Sequence, residues 1–147
     1  MKNQLKLLTG TFVVGVLLGM GTIAMAGTAT SNTGYYGPIN GYSYSNFAKV
    51  STDTYLYGQT RVDNQASGSI PSGYMGAKAR LYKSDVLCYE TDLYYSNSAS
   101  SGIGVSTQSY STGCGSGTYS SKGISAAYNG NGYDLYNTFV TPYQSQP

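Results

Sequence analysis

Apolar and polar residues alternate along much of the chain. The clearest segment is YMGAKARLY, residues 74–82. Its small and apolar residues take every second position, and its charged and tyrosine residues take the positions between them: Met75, Ala77, Ala79 and Leu81 against Tyr74, Lys78, Arg80 and Tyr82. A period of two is the period of a β-strand. The segment therefore predicts a strand with one buried face and one solvent face.

Several other segments have the same strand character, and no segment carries the apolar spacing of a helix. One long strand or two short ones are expected in residues 47–62, and single strands in 86–95, 102–110, 118–128 and 133–140. Glycine, proline, asparagine and serine separate these segments, as is typical of turns. The sequence therefore predicts an all-β fold, either an antiparallel β-sandwich or a small barrel, with about six to eight short strands.

The last two predicted strands are joined by Asn129, Gly130, Asn131 and Gly132, residue types that favour a hairpin turn. A loop of two or four residues places the apolar residues of both strands on one face: Ile124, Ala126 and Tyr128 with Tyr133, Leu135 and Phe139. The same stretch is similar to a G-G-x-G-x-D calcium repeat. That motif occurs once and offers one carboxylate, Asp134, whereas calcium takes about six to eight oxygen ligands. We interpret residues 129–132 as a hairpin turn whose exact type the sequence does not decide. We predict no metal site there.

The first 26 residues have the features of a signal peptide. A basic start with Lys2 and Lys6 is followed by an apolar run, residues 7–23, and then by Ala24-Met25-Ala26. This A-x-A pattern predicts cleavage between Ala26 and Gly27. An uncleaved membrane anchor is the alternative, although the run is short for a span of about 20 residues and contains threonines and glycines.

Cleavage would leave 121 of the 147 residues, which is enough for one domain with one core. Residues 27–33 are predicted to be a flexible lead-in, residues 34–143 a single β domain and residues 144–147 a frayed end. Without Lys2 and Lys6 the chain has six basic and six acidic residues. A neutral chain without a basic cluster argues against a nucleic-acid partner and against a membrane partner of the mature form. The expected location is extracellular, with cell-wall association as one form of it.

The two cysteines, Cys88 and Cys114, predict one disulfide in an exported protein. Free thiols are the alternative, but a cysteine nucleophile usually needs a histidine partner and the chain has none. The absence of histidine also excludes Ser-His catalysis and histidine-ligated metals. Glu90 and Asp92 are the one carboxylate pair with the spacing of an acid/base pair, and two solvated charges are the simpler interpretation. We therefore predict a protein that is not an enzyme and needs no cofactor.

Tyrosine is the strongest compositional feature, since all 17 tyrosines follow the signal peptide. They are dense at two places, which predicts a binding surface of Tyr35, Tyr36, Tyr42, Tyr44, Tyr55, Tyr57, Tyr94 and Tyr95. Such rings suit cell-wall polysaccharide or another extracellular protein as partner. Packing of the sheets by half-buried tyrosines is the alternative. Low charge and strand edges with few lysines also allow self-association into an extracellular structural subunit.

Three segments carry a resemblance to known proteins: GYMGAKARLY, TYSSKGISAAYNGNGYDLYNTF and TPYQ. Over residues 73–144 the chain resembles small secreted proteins of Gram-positive bacteria, whose function is largely uncharacterised. This resemblance implies secretion and a β fold. A fainter resemblance is to lactococcin-type bacteriocins, which implies an antibacterial factor as an alternative function.

Overall fold

A computed structural model describes residues 26–107 and 114–147. Within these ranges the chain is all-β, as predicted, and it contains no helix that could cross a membrane. The strands are β1 (Thr28–Thr30), β2 (Gly34–Ile39), β3 (Tyr42–Thr52), β4 (Leu56–Asn64), β5 (Met75–Lys78), β6 (Arg80–Lys83), β7 (Val86–Glu90), β8 (Tyr94–Tyr95), β9 (Gly102–Ser106), β10 (Gly117–Ser121), β11 (Ile124–Tyr128), β12 (Tyr133–Asn137) and β13 (Gln144–Gln146).

The first layer is an antiparallel sheet in the order β1-β3-β4-β9. Strands β3 and β4 form its centre and pair without interruption from Tyr44↔Asn64 to Thr52↔Leu56. Strand β2 pairs with the same edge of β3 as β1 does, beside residues 42–46. The segment 47–62 is thus parts of two strands, one of the two outcomes that its composition allowed.

The second layer consists of two four-stranded sheets, ordered β13-β10-β6-β7 and β12-β11-β5-β8. Strand β6 follows β5 after Ala79, and β11 follows β10 after Lys122 and Gly123. The two sheets are therefore consecutive halves of one interrupted layer. The described residues form 13 strands, more than the six to eight predicted, because these predicted strands are divided and because β1, β2 and β13 lie outside every predicted segment. The layers make a sandwich-like arrangement, and the described strands form no closed barrel.

The core lies between the layers in two clusters. One contains Tyr44, Val62, Ile70, Met75 and Ala77 among its buried members. The other contains Val50, Leu56, Leu81 and Tyr119. The predicted buried face of residues 74–82 is confirmed, because its four small or apolar side chains have no exposed surface.

The structure corrects the predictions of a flexible lead-in and of a frayed C-terminal end. The lead-in at residues 27–33 contains β1, which pairs with β3 at Thr28↔Ser51. The end at residues 144–147 contains β13, which pairs with β10. Neither strand has apolar alternation, because an edge strand is held by backbone hydrogen bonds and leaves its side chains partly in solvent. Residues 1–25 lie outside the described ranges, so the signal peptide and its cleavage at Ala26 stay predictions.

The predicted disulfide is present between Cys88 in β7 and Cys114 before β10, with Cα atoms 6.2 Å apart. The hairpin at residues 129–132 has the predicted even loop, because Tyr128 pairs with Tyr133. Its turn is built on Asn129, whose Oδ1 accepts from the backbone N–H groups of Asn131 and Gly132 at 3.0 and 2.9 Å. The carboxylate of Asp134 accepts from Asn129 Nδ2 at 2.8 Å, so it serves the turn.

Candidate functional site

The eight tyrosines predicted as a binding surface do not form one surface. Tyr35, Tyr55, Tyr94 and Tyr95 are exposed, and Tyr36, Tyr42 and Tyr57 are half-buried. Tyr44 has no exposed surface and belongs to the core, which corrects its place in the predicted set. Tyr57 lies beneath the Lys49 ammonium, 6.0 Å from its ring centre. Three of the exposed rings lie in three separate regions: Tyr95 in a row of tyrosines at the sheet end, Tyr94 in a cleft and Tyr35 in a groove. The fourth, Tyr55, lies in the connection between β3 and β4.

The row of tyrosines, which we call the tyrosine belt, consists of Tyr42, Tyr74, Tyr128, Tyr133 and Tyr95. Successive ring centres are 5.9, 4.9, 5.6 and 4.4 Å apart. These spacings are those of favourable aromatic pairs. Tyr42 and Tyr74 pack against the core, whereas Tyr133 and Tyr95 are about two-fifths exposed, at 39% and 41%. The belt therefore runs from the core to the solvent.

Strand pairing places the exposed part of the belt on the outer face of the second layer. Tyr128 pairs with Tyr133 across β11 and β12, and Tyr95 pairs with Gly76 across β8 and β5. Gly76 leaves room for the Tyr95 ring, because a Cβ there would lie 3.0 Å from that ring. The ring of Tyr95 therefore packs directly against the backbone of Gly76.

Two hydroxyl groups hold the belt in position. The Tyr133 hydroxyl donates to the Gly73 carbonyl at 2.8 Å, and the Tyr128 hydroxyl donates to the Gly130 carbonyl at 2.9 Å. Desolvation, followed by the neighbouring Tyr95, raises the pKa of Tyr133 above its usual value. These hydrogen bonds restrict the rotation of the two side chains, which lowers the entropy cost of binding.

The outer face beside the belt is apolar in the middle and charged at one side. Leu135 is 57% exposed and pairs with Ala126 on this face. At the side, Glu90 accepts from Lys78 Nζ at 2.8 Å and from Arg80 Nε at 3.0 Å. The hydrogen bond from Lys78, followed by that from Arg80, lowers the pKa of Glu90. This carboxylate is therefore ionised at neutral pH and does not suit a general acid.

The second region is a cleft of about 370 Å³ at the edge of the sandwich. It is lined by residues from β7, β8 and β9 and their connections: Tyr89, Glu90, Thr91, Asp92, Tyr94, Ser106 and Thr107. It brings together the two carboxylates that the sequence singled out. Thr107 is buried, and its hydroxyl oxygen accepts from the Gly58 N–H at 3.0 Å, so it supports the strand edge.

The third region, the β2–β12 groove, lies between the edge strand of the first layer and that of the second. Its volume is about 380 Å³, and its lining is Thr33, Gly34, Tyr35, Tyr36, Asn46, Tyr136, Asn137 and Phe139. The rings of Tyr36 and Tyr136 stack across the two layers at 4.1 Å with an angle of 17°. Tyr36 also stacks on Tyr44, at 5.4 Å and 12°. A three-ring stack thus closes this side of the sandwich and lines the groove.

Comparison of the chain with protein-family models, with curated proteins and with solved structures found no match. The functional residues must therefore be argued from the geometry. Composition alone missed Tyr74, Tyr128 and Tyr133, because they stand outside the dense runs. The hairpin could have indicated two of them, because a loop with an even number of residues places Tyr128 beside Tyr133 on one face of the sheet.

Proposed function

We propose that the protein is an exported, non-catalytic glycan-binding protein that uses the tyrosine belt to stack on the sugar rings of cell-wall polysaccharide. The observation that carries this proposal is the contact between Tyr95 and Tyr133, two exposed rings whose centres are 4.4 Å apart on the outer face of a sheet. A pyranose has an apolar C–H face of similar size to such a ring. Aromatic rings with few rotatable bonds supply contact area at low entropic cost.

Two further features support the proposal. The hydroxyl groups of Tyr128 and Tyr133 are already bound to backbone carbonyls, which leaves the exposed part of the Tyr133 ring for contact with a ligand. The Cys88–Cys114 disulfide is compatible with the oxidising environment outside the cell. Export and cell-wall association are parts of the same proposal.

The test is sedimentation of the purified mature protein with insoluble cell-wall polysaccharide. We expect the wild type to sediment, and Tyr95→Ala and Tyr133→Ala each to weaken binding about tenfold, equivalent to about 1.4 kcal/mol. Tyr55→Ala is the matched control, because Tyr55 is 58% exposed but lies in the β3–β4 connection. We expect this variant to bind as the wild type does.

Two results would contradict the proposal. One is the absence of sedimentation with every polysaccharide tested. The other is an equal loss of binding in the Tyr55→Ala control and in the two belt variants. Light scattering at the same concentrations is needed beside the assay, because the exposed Leu135 side chain on this face also suits a second copy of the chain. A polymer that sediments without polysaccharide would favour the structural-subunit function.

A further inference from the structure

Tyr95 and Tyr133 form a pair of exposed tyrosines whose rings touch each other. Their ring centres are 4.4 Å apart, with an angle of 41° between the ring planes. The two residues are 41% and 39% exposed, so a reagent in solvent can reach both rings. Every other contact between tyrosine rings of the described residues includes at least one ring that is half-buried or buried. This pair is therefore open to chemistry that needs two adjacent phenols.

The two rings come from opposite edges of one sheet. In the order β12-β11-β5-β8, Tyr133 lies in β12 and Tyr95 lies in β8. On the strands between them, Tyr95 pairs with Gly76, and Gly76 pairs with Ala126. Because Gly76 has no side chain and Ala126 has only a methyl group, the Tyr95 ring can lie over these strands and reach Tyr133. A bond between the two rings would therefore join the two edge strands of the sheet.

Oxidation can join two neighbouring tyrosines by a carbon–carbon bond. Each phenol loses one electron and its hydroxyl proton, and the two radicals couple at ring carbons next to the hydroxyl-bearing carbons. The hydrogens on the two coupled carbons then move to the phenolic oxygens, which restores both aromatic rings. The net loss is two hydrogen atoms, and one molecule of hydrogen peroxide takes them up to give two molecules of water.

The spacing of Tyr95 and Tyr133 suits this bond. In the coupled product, the ring centres are separated by one carbon–carbon bond and two ring radii, which is close to the 4.4 Å between the free rings. Coupling therefore requires the rings to turn but does not require their centres to move apart.

A second close pair is a poorer candidate for coupling. Tyr36 and Tyr136 have ring centres 4.1 Å apart, but the rings are nearly parallel, at 17°. Tyr36 also stacks on Tyr44, and its hydroxyl oxygen is buried without a hydrogen-bond partner among the described residues. Oxidation is difficult there, because a charge formed on a buried phenol is costly. By contrast, the Tyr133 hydroxyl donates to the Gly73 carbonyl at an exposed position, where solvent can take up the proton.

We propose that Tyr95 and Tyr133 are a site of oxidative cross-linking, at which a haem peroxidase and hydrogen peroxide join the two rings as dityrosine. This inference goes beyond glycan binding and does not depend on it. The new bond would tie β8 to β12 across β5 and β11. The Cys88–Cys114 disulfide ties β7 to the segment before β10. Each of the two sheets of the interrupted second layer would thus have its own covalent link.

The test is oxidation of dilute mature protein, with its disulfide intact, by a haem peroxidase and hydrogen peroxide. We expect a monomeric product that is lighter by two hydrogen atoms and shows dityrosine fluorescence. Trypsin cleaves after Lys83 and Lys122, so the two tyrosines fall in different peptides, 84–122 and 123–147. After denaturation and reduction, mass spectrometry should find these peptides joined through Tyr95 and Tyr133.

Two conservative variants test the residues themselves. Tyr95→Phe and Tyr133→Phe keep the ring but lack the hydroxyl that is oxidised, and we expect each variant to lose the joined peptide. Tyr94→Phe is the matched control, because Tyr94 is adjacent in sequence, 55% exposed and without a ring contact to the described residues. We expect this variant to form the same link as the wild type does. Circular dichroism checks that all three variants fold.

Four results would overturn the inference. One is the absence of any link in the wild type under conditions that couple free tyrosine. Another is a link between Tyr128 and Tyr133 alone, which would lie inside peptide 123–147. The third is covalent dimers without the intramolecular link, which would show that exposed tyrosines react between copies. The fourth is a joined peptide that persists in Tyr95→Phe or in Tyr133→Phe.

The cross-linking assay is independent of the sedimentation assay, because it contains no polysaccharide. Failure of cross-linking would leave the glycan-binding proposal in place. Absence of sedimentation, together with a joined peptide in the wild type, would remove glycan binding and keep the cross-link.

Discussion

Removal of the Cys88–Cys114 disulfide should destabilise the fold by an amount that the structure allows to be worked out. The bridge joins β7, at the edge of the second layer, to the segment before β10. Both cysteines are half-buried beside the cluster that contains Leu81 and Tyr119. The loop between them includes β9, which pairs with β4 in the first layer. The double variant Cys88→Ala/Cys114→Ala therefore removes a covalent link that closes a stretch of chain with strands in both layers.

The expected loss follows from the entropy of the unfolded chain. The cysteines are separated by 26 residues. A cross-link of that span removes conformational entropy from the unfolded chain equivalent to about 3.5 kcal/mol at room temperature. For roughly 120 residues, at about 2.1 cal/mol/K each, this corresponds to a drop in Tm of about 14 °C.

Urea unfolding followed by tyrosine fluorescence and by far-ultraviolet circular dichroism measures this loss, since the chain has no tryptophan to complicate the emission. The slope of the free energy against urea should rise in the variant, because its unfolded chain is more expanded. Wild-type protein unfolded with and without a reductant gives an independent value. A variant that lies within about 1 kcal/mol of the wild type would refute the loop-entropy reasoning.

Two further predictions concern the belt and the ring stack. Gly76→Ala should lower the free energy of unfolding by about 1–3 kcal/mol and weaken polysaccharide sedimentation, because its Cβ would lie 3.0 Å from the Tyr95 ring. Gly132→Ala, with open space around the new Cβ, is the control in both measurements and should match the wild type. Burial raises the pKa of Tyr36, and it raises the pKa of Tyr44 to about 12. The stability gained from these neutral phenols is present below the unfolded value of 10.0 and is lost as the pH rises towards the folded values. Tyrosinate absorbance should thus show late-titrating groups, one fewer of them in Tyr36→Phe than in the wild type, and a titration in which all the tyrosines ionise together near pH 10 would contradict this.

The sequence predicted the strands where strict alternation marks a buried face, but it missed β2 (Gly34–Ile39), although Ile39 of that strand is buried. Alternation in residues 74–82 identified the buried side chains, and the loop length at residues 129–132 fixed which residues share a face. The strands at residues 28–30 and 144–146 were missed because their register comes from backbone pairing with β3 and β10, which leaves no apolar pattern.

The candidate site could be predicted only in part. The set that tyrosine density predicted contains Tyr35 and Tyr95, which are exposed, and also Tyr44, which is buried. The alternation within β3 could have shown that Tyr44 is buried, because Tyr44 lies on the same face of the strand as Ala48 and Val50, which point into the core. The same alternation places Asn46 on that face, and a buried asparagine among apolar residues marks the position where the groove begins.

The contacts of the belt depend on pairing between distant strands. Tyr74 precedes β5, Tyr95 belongs to β8 and Tyr133 begins β12, and they meet because β5 pairs with both β8 and β11. No local pattern sets the order of strands in a sheet. The ring contacts therefore became visible only with the topology.

The stacked rings of Tyr44, Tyr36 and Tyr136 connect the core to the groove, so a change there affects the stability of the fold. A change at Tyr36 would remove a ring that holds the two layers together and also a wall of the groove. Loss of binding in such a variant could come from the destabilised fold alone. Tyr95 and Tyr133 are about two-fifths exposed, so their truncation removes ligand contact with little core packing. The substitutions that decide the function are therefore those at the solvent end of the belt.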